Sequence, residues 1–220
     1  KIFKALNQIR APRGSKIASE RIPLYEINWR VLDTMENGIP QSRKRWYCVG
    51  LRKDQFEGGL EGKTSSFKWA EKIPCPPISD FLDDWRSLDK PHIALQQSAT
   101  ARKNIQRAEE RIRAKGKDPR QVDVIVDCDA SFKSNRQYHE YSPCITKSRD
   151  RGHWITSRNK RFNKQEMFRL QGMNPSTFKV EVSNTVLGEQ IGNAMSVNVI
   201  ERVLQSSLKA VGLLDQAAPD

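Results

Sequence analysis

The chain has 220 residues and a formal net charge of +12, with 37% apolar and 29% charged residues. That length suits one or two domains, and the modest apolar share predicts a core wrapped in loop-rich surface. No apolar run approaches the ~20 residues of a membrane span. Cys48, Cys75, Cys128 and Cys144 form no Cys-x-x-Cys pair, and His92, His139 and His153 are scattered, so neither a metal site nor a disulfide framework is expected. No signal peptide opens the sequence, which predicts an intracellular location (nucleus in a eukaryote, cytoplasm in a prokaryote). The basic excess, with an isoelectric point near 9.7, is the electrostatic footprint of a polyanion binder. On charge alone, a basic protein without a nucleic-acid partner is the other reading.

Residues 1–23 are basic and broken by Pro12, Gly14 and Pro23, a linker or insertion. Tyr25 to Leu32 predicts a strand, with Ile27, Trp29 and Val31 alternating against Asn28 and Arg30. Trp46 to Leu51 predicts a second. Between them, Gln41, Arg43 and Arg45 occupy alternate positions. In an extended backbone they would project from one face, an array suited to a phosphate or a base edge. Gly58, Gly59 and Gly62 mark a boundary, and Pro74, Pro76 and Pro77 lead into a short apolar turn at Ile78 to Leu82.

Ala99 to Lys115 predicts a helix with Ala101, Ile105, Ala108 and Ile112 on one face and Gly116 as its stop. Its opposite face reads as solvated, charge-paired surface. Val122 to Asp127 predicts a strand. Residues 129–164 concentrate Lys133, Arg136, Lys147, Arg149, Arg151, Arg158, Lys160, Arg161 and Lys164 among Tyr138, Tyr141, His153 and Trp154. Cations anchor phosphates and rings stack on bases; a mobile basic loop is the alternative. Asn163 to Gln171 predicts a helix capped by Asn163 and Glu166, stapled by Phe162 and Met167, and ended by Gly172. Glu166 is therefore read as a capping residue. A final helix is predicted from Gly192 to about Val211, with Met195, Val199, Val203 (or Ile200), Leu204 and Leu208 on one face.

Four segments, in order, resemble motifs of the cytosine-specific DNA methyltransferases that methylate carbon-5. Gly38-Ile39-Pro40-Gln41-Ser42-Arg43-Lys44-Arg45 is similar to motif VIII. Ser142-Pro143-Cys144-Ile145-Thr146 resembles the run that closes the recognition region. Arg161 through Met173 looks like motif IX, and Gln190-Ile191-Gly192-Asn193-Ala194 like motif X. The resemblance covers the C-terminal half of such an enzyme: the family's Pro-Cys-Gln nucleophile, Glu-Asn-Val and Gly-rich cofactor loop have no counterpart here. Pro74-Cys75-Pro76 and Glu36-Asn37-Gly38 imitate two of these but stand in the wrong order. A truncated record, or an enzyme split across two chains, would account for this.

The resemblance implies an α/β fold, the C-terminal part of a Rossmann-like class I methyltransferase sheet with a small irregular recognition region. Residues 1–55 would end the catalytic sheet, 56–141 would form the recognition region, and 142–220 would carry motifs IX and X with a helix returning to the catalytic domain. It implies transfer of methyl from S-adenosyl-L-methionine to carbon-5 of a flipped cytosine in DNA, with this chain alone inactive. As the catalytic residues, Arg45 would contact the flipped cytosine and Arg43 its phosphate neighbourhood, with Gln41 bracing the loop. Gln41, Arg43, Thr146, Arg149 and Arg161 would contact DNA, and Gly192, Asn193 and Ala194 would line the cofactor pocket. The implied partners are DNA and the enzyme's N-terminal half, in the same chain or on another subunit. Cys144 for Thr, Met173 for Phe and Met195-Ser196 for Val-Pro depart from the pattern in packing. A non-catalytic DNA-binding subunit, a degenerate methyltransferase and an RNA cytosine methyltransferase remain the alternatives.

Overall fold

The computed structural model describes residues 2–6, 8–10, 24–53, 67–84, 97–131 and 137–214. The breakers Pro12, Gly14 and Pro23, the boundary at Gly58, Gly59 and Gly62, and Lys133 and Arg136 lie outside them. The chain divides into two compact units, residues 1–32, 44–71 and 200–220 in one and residues 33–43 and 72–199 in the other.

In the first unit, β1 (Tyr25–Asp33) pairs with β2 (Lys44–Arg52). Alternation holds in β2, where Tyr47, Val49 and Leu51 are buried. On β1, Trp29 is exposed, and its ring lies 5.2 Å from Phe3 of α1 (Ile2–Leu6), a short helix within the stretch read as linker. Trp46 lies 5.5 Å from the same phenyl ring.

The second unit is built on a four-stranded antiparallel sheet in the order β4 (Gln137–His139), β3 (Val124–Val126), β5 (Trp154–Ile155), β6 (Lys160–Arg161). Strand β3 is buried on both faces. Val124 and Val126 pack with Ala101, Ile105, Ala108 and Ile112 of α2 (Ala99–Arg113), while Ile125 joins Ile39, Ile145, Met167 and Ile191 in the main core. The two-residue period of a strand divides the cores. Asn104 of α2 donates to the carbonyls of Cys128 and Ala130 (2.8 and 2.9 Å), so the helix also fixes the turn after β3.

Among its described residues, the basic stretch 129–164 supplies three short strands, β4, β5 and β6, and several buried side chains. Trp154 and His153 are fully buried rather than presented as stacking rings. Charge density made this stretch read as a nucleic-acid contact; the two-residue strands β5 and β6 are too short to show between the cations.

Helix α3 (Lys164–Leu170) forms as the sequence predicts. The Asn163 side chain accepts from Glu166 N at 2.9 Å, and Glu166 Oε2 accepts from Asn163 N at 2.8 Å. Phe162 and Met167 are both buried, and Gly172 ends the helix at φ +74°. Downstream, the predicted final helix forms but starts at Val197, and a helix that was not predicted precedes it. Helix α4 (Asn184–Asn193) precedes a break at residues 194–196, and α5 (Val197–Ala210) follows. Gly188, Gly192, Thr185 and Val186 make α4 a poor helix by propensity; the Ser183 cap and the buried Leu187 and Ile191 override that. The predicted apolar face is only partly buried: Val199 is enclosed, but Met195, Leu204 and Leu208 are exposed.

Glu166 is fully buried, where Oε1 takes Lys160 Nζ at 2.7 Å and Asp83 N at 3.0 Å. Removing one member of a buried pair strands the other charge, which typically costs about 3–5 kcal/mol. Glu166→Ala is expected to lose stability on that scale in denaturant unfolding, far more than removal of an exposed cap.

Candidate functional site

The site grows from the loop between β1 and β2. Asp33 caps the 3₁₀ turn Thr34–Glu36 and also accepts the Arg43 backbone N–H at 2.8 Å, so both ends of the loop are held by one carboxylate. Pro40 to Arg43 then runs beside Ser142 to Ile145, with Ser142 N donating to Pro40 O (2.7 Å) and Ser42 N to Ser142 O (2.9 Å). Gln41 is fully buried: Nε2 donates to Leu170 O at 2.6 Å, and Oε1 accepts from Ile145 N at 3.1 Å. One amide therefore joins this loop to the end of α3 and to the Ser142–Thr146 run.

Arg43 is the hub. It is 4% exposed. Nη1 donates to Ile145 O (2.6 Å) and reaches Cys144 Sγ (3.3 Å), and Nη2 donates to Ala194 O (2.5 Å) and Gly192 O (3.2 Å). The planar guanidinium has the fork needed to serve carbonyls in several directions. It also sits at the C-terminus of α4, where a cation meets the partial negative charge of the helix end.

The expected common face for Gln41, Arg43 and Arg45 does not form. Regular strand begins only at Lys44, yet Gln41 and Arg43 are both buried with Ser42 half-buried between them. Gln41 and Arg43 turn inward, whereas Arg45 is exposed in β2 and donates to Lys44 O at 2.8 Å.

Sequence reasoning missed a second buried network beside this hub. Thr34 Oγ1 and Ser196 Oγ share a hydrogen bond of 2.8 Å, Ser196 Oγ donates to Gln171 Oε1 (3.2 Å), and Gln171 Nε2 donates to Ile191 O (2.8 Å). Ser196, one of the departures noted above, thus satisfies a buried polar site. Its partner Thr34 lies 162 positions away, which no local pattern reports.

At the motif X-like turn, Gly192 is buried against the backbone of Thr146 and Lys147. A Cβ there would collide with the Thr146 carbonyl. Gly188, one turn earlier, meets the Asp150 carbonyl in the same way. The close approach that Gly192 permits is thus to protein backbone. Asn193 is exposed and Ala194 half-buried. An exposed carboxamide beside two small residues offers the donor and acceptor that a polar cofactor such as S-adenosyl-L-methionine would need.

Of the expected DNA contacts, Thr146 is half-buried, with its hydroxyl 3.2 Å from Ser148 Oγ. Arg149 forms a two-pronged pair with Asp127 (2.5 and 3.0 Å), and Arg161 does the same with Asp129 (2.6 and 2.8 Å). Lys160 is consumed by Glu166. Burial alone would raise the Asp129 carboxyl, but the hydrogen bonds and charge of Arg161 hold it below its usual range. Burial pushes the Cys128 thiol up to about 12, so it stays protonated. Burial also lowers His153 to about 4, against the pull of Asp127, so it is neutral at pH 7.

The family described as C-5 cytosine-specific DNA methylase matches residues 17–209. The type II methyltransferase M.NgoBI of Neisseria gonorrhoeae is 25% identical over 178 residues, 80% of this chain and 49% of that protein. Among solved structures, Entamoeba histolytica EhMeth aligns at 18% identity and TM-score 0.49 over 84% of this chain and 54% of that one. The S. pombe Dnmt2 methyltransferase aligns at 17% and 0.45 over 86% and 58%. The chain spans about half the length of the curated relative it matches. With the family matched along most of its sequence, the chain belongs to the C-5 cytosine-specific DNA methylases.

Gly192→Ala is expected to destabilise the protein by about 1–3 kcal/mol, the usual cost of overpacking. A melting temperature equal to wild type would contradict that contact. His153 supplies a pH dependence. Its folded pKa lies below the ordinary 6.5, so the unfolded chain takes up the extra proton. The stability it confers is complete above about 6.5 and falls as the pH drops toward about 4. Unfolding free energies measured from pH 7 to 4 should decline less steeply in His153→Gln than in wild type.

Proposed function

We propose that this C-5 cytosine-specific DNA methylase chain forms the DNA-facing and motif X part of an enzyme that methylates carbon-5 of a flipped cytosine in DNA. The observation that carries the reading is the convergence, inside the matched range, of the motif VIII-like loop, the Ser142–Thr146 run and the motif X-like turn on the Arg43 guanidinium. Separate motifs become one site when a buried group holds them in fixed geometry.

S-adenosyl-L-methionine supplies an electrophilic methyl group. Around it, Asn193 and Ala194 bind and orient the cofactor, while Gly192 lets their helix seat against Thr146. Extruding the target base costs a few kcal/mol of stacking and pairing. Arg45, with its guanidinium at the surface, holds the extruded cytosine and stabilises charge that develops on the ring. Gln41 and Arg43 keep the motif VIII-like loop in shape. Arg149 and Arg161 reach phosphates only by exchanging Asp127 and Asp129 for them, so their contribution to DNA affinity is small beside their part in the fold.

Losing one preorganised donor at a reacting group typically costs about 10²–10³ in rate. Arg45→Ala in the full-length protein is expected to lower methyl transfer to duplex DNA on that scale without changing the melting temperature. Labelled-methyl assays on duplex DNA and on structured RNA decide the reading. Undiminished transfer by the variant removes Arg45 from the site, and wild-type transfer to RNA alone replaces the substrate.

A further inference from the structure

We propose that Arg43 is a positioning residue for the cofactor, setting the Gly192–Ala194 turn through its main-chain carbonyls rather than contacting substrate phosphate. The inference rests on the reading of that turn as cofactor-facing.

Three observations carry it. First, the guanidinium is enclosed, and its terminal nitrogens point at carbonyls of Ile145, Gly192 and Ala194. A phosphate ligand would need those donors turned outward. Second, two of the three carbonyls flank Asn193, the exposed amide of the turn. On the other side, Ser196 is tied to Thr34. Asn193 is therefore suspended between two anchors, and Arg43 is the one at the helix end. Third, the tie reaches back to the motif VIII-like loop of the same unit, where Gln41 and Arg43 are both buried.

The geometry demands a planar fork. A lysine ammonium can approach one or two of these carbonyls but cannot span Ile145 and Ala194 as the guanidinium does. With alanine, the carbonyls of Ile145, Gly192 and Ala194 lose this donor and the end of α4 relaxes. A displacement of about 1 Å in a positioning element can cost on the order of 10²-fold.

The test is equilibrium binding, by calorimetry on the full-length protein, of S-adenosyl-L-methionine and separately of duplex DNA across a salt series. Arg43→Ala is expected to weaken cofactor binding at least about tenfold, with DNA affinity and its salt slope changed less than about twofold. Arg43→Lys should fall between wild type and alanine. Asn104→Ala supplies the structural control, since Asn104 is also buried and also holds two carbonyls, far in sequence from the turn. It should lose stability yet bind cofactor as wild type does. Weakened DNA binding with a shallower salt slope and intact cofactor affinity overturns the inference in favour of a phosphate contact. Unchanged affinities overturn it outright, and equal cofactor losses in Arg43→Ala and Asn104→Ala reduce it to general destabilisation. Should the alanine variant fail to fold, Arg43→Lys and Arg43→Gln bear the same comparison. A wild-type protein that binds no S-adenosyl-L-methionine overturns the proposed function itself, a result distinct from these.

Discussion

A guanidinium buried among main-chain carbonyls is the constraint on which the larger unit depends. Burying a charge is expensive unless every donor is met. Here Ile145, Gly192 and Ala194 accept from its two terminal nitrogens, and the end of α4 contributes its dipole. Satisfaction of Arg43 therefore requires residues 43, 145 and 194 to be in register at once. Gln41 repeats the demand with Leu170 and Ile145. These bonds are directional, unlike the apolar contacts around them, so they select one arrangement of segments that hydrophobic burial alone would leave degenerate.

The arrangement also needs close backbone approach, and glycine supplies it. Gly188 and Gly192 stand one turn apart on α4, and both face the Thr146–Asp150 turn. Any side chain at either position would push α4 away and lengthen the bonds from Arg43. The poor helix propensity of α4 is thus the consequence of a contact requirement. It is stabilised by the Ser183 cap and by Leu187 and Ile191 in the core.

Legibility in the sequence follows the reach of each interaction. The capping box of Asn163 and Glu166 spans three residues and reads directly, as does the apolar face of α2. Gln41 meets Leu170 across 129 positions and Thr34 meets Ser196 across 162, so their roles are invisible without the fold. Cations were the least legible. A sequence shows that Arg149, Lys160 and Arg161 are charged but not that Asp127, Glu166 and Asp129 stand ready for them. Exposure at the loop was illegible for a related reason: Gln41 and Arg43 are drawn inward by the carbonyls of Leu170, Ile145, Gly192 and Ala194, partners more than 100 positions away.

That division of the cations bears on how a basic protein of net charge +12 meets a polyanion. Each locked Arg–Asp or Lys–Glu pair contributes no net charge and little long-range field. The excess must reside on groups such as Lys103, Arg111, Lys115 and Arg151, all exposed. Surface cations of this kind attract phosphate from a distance and lose that attraction as salt rises. They carry no information about sequence. The locked arginines do the opposite, specifying the shape of the four-stranded sheet and its turns while adding little to the field. Attraction and geometry are thus assigned to different residues of the same type, and burial, not residue identity, decides which task each one performs.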